Sequence, residues 1–76
     1  MNGILNIATY RFVGIDDPAA LKASILPQAQ ALGVKGTILL APEGINMFLA
    51  GAETTVRSFL AILDDDPRFA GLDIKE

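Results

Sequence analysis

Glu43 and Asn46 are the side chains whose type and spacing come nearest to a ligand-facing pair. They lie in a Pro42-Glu43-Gly44-Ile45-Asn46 connection between two short apolar runs, residues 38–41 and 47–50. Pro, Gly and Asn between apolar runs read as a tight turn joining two strands, with a carboxylate and an amide at its tip. Hairpin architecture alone also accounts for them, since Gly44 supplies a positive φ and Asn46 can bond its own loop. Arg11, Lys35 and Phe48 on the neighbouring strands complete the candidate binding or interface residues. Sharper chemistry is missing. The chain has no cysteine and no histidine, which removes the thiolate nucleophile, the commonest general base and the soft metal ligands. The carboxylates Asp64, Asp65 and Asp66 do not replace them. Helical neighbours point about 100° apart and do not converge on one ion, so the run reads as a solvated helix end screened by Arg68. No catalytic residue, metal site or cofactor is expected.

The chain that must position these groups has 76 residues, enough for one small domain. At 51% hydrophobic and 20% charged it is too apolar to be disordered. Its net charge of −3 makes it a poor autonomous binder of nucleic acid, whose affinity comes mostly from phosphate neutralisation. Residues 1–7 lack the basic flank and long apolar stretch of a signal peptide. No apolar run approaches the ~20 residues of a membrane span. A cytoplasmic protein with no membrane partner is expected.

Residues 4–13 read as a first strand, broken by Gly14-Ile15-Asp16-Asp17-Pro18. Asp17 is a candidate N-cap with Pro18 at the first helical position. Leu21, Ile25, Ala29 and Leu32 form an apolar helical stripe, interrupted by Pro27. Either one kinked helix or a second start capped by Ser24 fits, and the second is preferred because it places Pro27 in a first turn. Gly33 closes the helix in the left-handed conformation. Residues 34–41 and 45–50 read as the second and third strands. Gly51 opens a second helix with Val56, Phe59, Leu60 and Leu63 at helical spacing, which Pro67 stops. Residues 71–76 begin a last strand.

The order β-α-β-β-α-β predicts an α+β ferredoxin-like plait over residues 1–76, with an antiparallel sheet in order 4-1-3-2 and both helices on one face. Alternation assigns Ala8, Tyr10, Phe12, Ile38, Leu40, Ile45, Met47 and Leu49 to the helix-covered side. It leaves Ile7, Thr9, Arg11, Lys35, Thr37, Leu39, Asn46 and Phe48 on the open side. There Ile7, Leu39 and Phe48 form an apolar patch suited to docking another domain or subunit.

Two functions common on this architecture fit poorly. Acylphosphatase chemistry needs an Arg in a Gly-rich loop after the first strand and an Asn on the second strand. Here the loop carries Asp16 and Asp17, and the second strand has no Asn. RNA recognition through sheet aromatics is left with Phe48 alone on the assigned open face.

The chain resembles the rhodanese-related tRNA uridine hydroxylases, long described as rhodanese-related sulfurtransferases. The resemblance is carried by Ala8-Thr9-Tyr10-Arg11-Phe12-Val13, by Asp17-Pro18, by residues 35–46 with Glu43-Gly44-Ile45-Asn46, and by Asp66-Pro67-Arg68-Phe69. Two departures stand out: Met47-Phe48 where the family usually has Gly-Thr, and Ala52 where a polar helix cap is usual. The resemblance implies an acylphosphatase-like N-terminal domain of a larger enzyme that adds a hydroxyl from molecular oxygen to a wobble uridine. The rhodanese domain that holds the reactive cysteine is then a partner in the parent chain. It implies tRNA as substrate of the parent, with weak or no binding by this fragment. The alternative is a free-standing interaction module that forms a weak homodimer through its open face.

Overall fold

A computed structural model describes residues 3–76. Its elements run β1 (Ile4–Phe12), α1 (Pro18–Leu32), β2 (Lys35–Ala41), β3 (Gly44–Ala52) and α2 (Glu53–Asp64). The three strands form one antiparallel sheet in the order β1-β3-β2. This is the expected α+β arrangement of sheet and two helices, with three strands in place of four. Residues 71–76 do not form a strand. A single antiparallel bridge ties Lys75 to Ala8, through Ala8 N–H to the Lys75 carbonyl at 2.7 Å and the reverse bond at 2.9 Å.

Helix α1 begins as its sequence dictates. The Asp17 carboxylate accepts from Ala20 N–H at 3.0 Å, and Pro18 occupies the first turn. The preferred second start at Ser24 is not found. The helix is continuous through Pro27, which is exposed, as is Ala23, whose carbonyl loses the proline's missing donor. An exposed carbonyl is open to solvent, so it is not left buried and unpaired and the helix need not break. Gly33 ends it at φ 79°, where its N–H bonds Gln30 O and Val34 N–H bonds Ala29 O. Those two bonds are the paired closure of a Schellman motif.

Strand β3 runs on through Gly51 to Ala52, so Gly51 is a strand residue and α2 starts at Glu53. Ala52 provides no side-chain cap, as its apolar side chain requires. Val56, Phe59 and Leu63 of α2, with Ile25 and Ala29 of α1, bury their side chains over the sheet. From below, Leu5, Ile7, Ile38, Ile45, Met47 and Leu49 meet them, and Ile15 and Phe69 complete the core. Neither helix is long and apolar enough to cross a membrane.

The phase of β1 is opposite to expectation. Ile7 and Thr9 are 4% and 3% exposed beneath the helices, whereas Tyr10 and Phe12 are 61% and 82% exposed on the open side. The register explains this. Ala8 faces Phe48 and Tyr10 faces Asn46 across β3, so Tyr10 shares a face with two outward residues. The inner face of β1 is apolar at Leu5 and Ile7 and then polar at Thr9 and Arg11. Those polar groups are satisfied by the C-terminal segment: Thr9 Oγ1 donates to Asp73 O at 2.8 Å.

Candidate functional site

Two faces hold the residues singled out above, and they do different things. On the inner side, Arg11 Nη1 donates to the carbonyls of Arg68 and Ala70 at 3.2 and 2.6 Å, and Nη2 donates to Gly71 O at 2.8 Å. Arg11 was expected on the open face. It is instead half-buried, with its guanidinium spent on backbone carbonyls. The segment it grips is itself folded locally. Asp66 accepts from the N–H, Nε and Nη2 of Arg68 at 2.9, 3.0 and 2.7 Å. The Arg68 guanidinium lies 5.4 Å from the centre of the Phe69 ring, which is buried in the core. Arg68's donated bonds hold the Asp66 carboxyl below its ordinary range, against the opposing effect of desolvation. Asp64 Oδ1 accepts from Gly71 N–H at 3.0 Å. The acidic helix end therefore closes the chain on itself, and Asp66-Pro67-Arg68-Phe69 is a piece of scaffold.

The hairpin tip is also structural, and tighter than expected. Only Pro42 and Glu43 lie between β2 and β3. Their carbonyls accept from Ile15 N–H at 2.9 Å and Val13 N–H at 3.0 Å, fastening the β1–α1 loop to the hairpin. A phosphate-cradling loop needs free amides there, and these two are taken. A side chain at Gly44 would run into the carbonyl oxygen of Arg11, so the turn requires glycine at that position. Gly36, at φ 128°, is under the same constraint from the carbonyl oxygen of Phe48. Glu43 remains exposed at the tip.

Asn46 is not in the turn. It lies on β3, between Tyr10 of β1 and Leu39 of β2, and is exposed on the open face. Lys35, Thr37 and Phe48 share that face. Sequence reasoning missed three of its members. Tyr10 and Phe12 meet edge to face there, with ring centres 5.9 Å apart and planes at 75°. Lys75 joins them because its bridge sets it directly opposite Ala8, on the same side of the sheet. Leu5 and Ile7 held the signal for β1, since two aliphatic residues at odd positions outweigh aromatics that pack equally well on a wet sheet.

Shallow depressions mark the open face, two of them beside Tyr10. One, of about 280 Å3, runs from Tyr10 and Phe12 past Asn46 to Leu39 and Glu43. The other, of about 400 Å3, lies between Tyr10, Phe48 and Lys75. Aromatic walls, one amide and a lysine can bind apolar or stacking groups. A thiolate or an imidazole cannot be among the lining groups, since the sequence has no cysteine and no histidine.

Residues 4–76 match the model of the UPF0176 acylphosphatase-like domain. The chain belongs to that family. Curated relatives named tRNA uridine(34) hydroxylase extend the match. The Variovorax paradoxus protein is 60% identical over all 76 residues, and the Delftia acidovorans protein is 54% identical over the same span. The Bordetella avium protein is 53% identical over 72 residues, or 95% of the chain. The chain spans less than a third of each relative's length: 29%, 29% and 30% in that order. The resemblance drawn from the hairpin and the Asp66-Pro67-Arg68-Phe69 segment is thus confirmed at the level of the family.

Proposed function

We propose that this chain is the N-terminal accessory domain of a rhodanese-like enzyme that hydroxylates the wobble uridine of tRNA, and that it is not catalytic by itself. The observation that carries the reading is a mismatch of extent. The whole chain aligns with under a third of the tRNA uridine(34) hydroxylases it resembles, yet it has no cysteine or histidine. The thiolate chemistry of a rhodanese domain then belongs to another part of the parent. In that setting the acylphosphatase-like fold serves as scaffold. Its Val13 and Ile15 amides are bonded to the hairpin carbonyls, and Asp17, Asp64 and Asp66 accept from helix or turn amides.

In the parent, the Lys75–Ala8 bridge is the start of a fourth strand beside β1, giving the full plait order 4-1-3-2. The rhodanese domain is the partner within the chain. tRNA is the substrate of the whole enzyme, a cytoplasmic activity in which this domain contributes weak or no direct binding. The test is nucleoside analysis of tRNA from cells lacking wobble hydroxylation. The 76-residue chain alone leaves uridine unmodified, whereas a full-length relative carrying this chain in place of its matched segment restores the hydroxyl.

A further inference from the structure

We propose that the open sheet face, centred on Tyr10, Phe12, Leu39 and Phe48, is the seat of the rest of the parent chain, packed there by apolar contact. The proposal rests on the functional reading above and assigns a surface to it. Four large apolar side chains on three adjacent strands are each more than half exposed, and Ile4 extends the row toward the start of β1. Register makes them neighbours. Phe48 lies opposite Ala8 and Thr37, while Asn46 lies between Tyr10 and Leu39. A small monomer rarely leaves such a patch wet, and Tyr and Phe are enriched where interfaces bury their centres.

Charge decides between a protein and a polyanion as occupant. The face carries Lys35 and Lys75, but Asp73 lines the same depression as Lys75, and Glu43 lines the one beside Tyr10 and Phe12. It therefore offers RNA no excess of positive charge, the main source of affinity for a phosphate backbone. Supply and direction point to the parent. More than two thirds of each relative's length lies outside the match. The Lys75–Ala8 pairing is antiparallel, so the path of residues 73–76 runs along the edge of β1 toward Asn6 and Ile4. In a longer chain the next residues emerge beside Ile4, at the far end of the row from Phe12.

The experiment uses the Variovorax paradoxus relative with its matched segment replaced by this chain, compared with the 76-residue chain alone. Phe12→Ser and Phe48→Thr are placed in both. In the isolated chain these exposed sites should shift the melting temperature by about 4 °C or less. In the full-length protein they should lower it by clearly more, or split one transition into two. Equal shifts in both proteins overturn the proposal. So does an isolated dimer dissolved by Phe48→Thr while the full-length protein is unaffected, which assigns the face to a second copy. Unchanged melting with weakened tRNA binding overturns it in favour of RNA. Should a variant fail to fold alone, Tyr10, the chain's one tyrosine, gives the answer without substitution. Its acetylation by N-acetylimidazole, read on its own peptide by mass spectrometry, should be rapid in the isolated chain and suppressed in the full-length protein; equal reactivity refutes the docking. Coupled melting in a full-length protein that hydroxylates no tRNA would support the docking while removing the functional reading.

Discussion

Arg11 and Gly71 are 60 residues apart in sequence, and the guanidinium of one donates to the carbonyl of the other at 2.8 Å. With its bonds to the Arg68 and Ala70 carbonyls, this contact holds the turn after α2 against the inner end of β1. Thr9 takes Asp73 two residues earlier on the same strand. Two polar side chains, on a face that is otherwise core, thus decide where the C-terminal segment lies.

Replacing Arg11 by Met keeps much of the stem and removes all three donated bonds. Hydrogen bonds to charged groups are worth about 1.5–3 kcal/mol each in favourable settings, but this site is half exposed. A total loss of about 1–3 kcal/mol is expected. The clearer sign is local: amide exchange at Ala8 and Lys75, slowed by their mutual bonds, should accelerate more than exchange within the β2–β3 ladder. Unchanged protection at those two amides would show that the clamp does not hold the segment.

Phe59 is fully buried between α2 and the sheet. Phe→Ala in a core costs about 3–5 kcal/mol, near the whole stability of a domain of this size. Phe59→Ala should therefore be largely unfolded at room temperature by circular dichroism. A cooperative, near-native denaturation curve for that variant would contradict the packing described.

The Asp66–Arg68 pair gives stability a pH dependence of definite sign. Arg68's donated bonds lower the Asp66 carboxyl in the folded state, while in the unfolded chain it returns to about 4. Its contribution is complete above the unfolded value and is lost as pH falls through the lower folded one. The pair is partly exposed, so the effect is small. Urea denaturation should show wild type more stable than Asp66→Asn at about pH 7, with the gap closing as pH falls below the unfolded value of about 4. A gap of equal size at both pH values would rule out the linkage.

Much of this was legible in the sequence, and the failures in β1 share one cause. The stripe Val56, Phe59, Leu63 and the caps at Asp17 and Gly33 are local patterns, and each is found where its spacing placed it. The phase of β1 is not local. Thr9 and Arg11 look like outward residues until the carbonyls of Asp73, Arg68, Ala70 and Gly71 arrive from the far end of the chain. Tyr10 and Phe12 look like core until the register with β3 turns them outward. Asn46 reads both as a hairpin-tip residue and as an outward residue of the strand over 45–50; the second reading holds, because close approach to Arg11 fixes Gly44 as the first residue of β3.

The most direct measurement of the central claim is the fraction of wobble uridine hydroxylated in tRNA, by mass spectrometry, in cells stripped of their own enzyme. Three proteins are compared: the isolated chain, the Variovorax paradoxus relative carrying this chain in place of its matched segment, and that relative with the segment deleted. The accessory-domain account predicts hydroxylation from the second alone. Hydroxylation by the isolated chain, or undiminished hydroxylation by the relative without the segment, would contradict it.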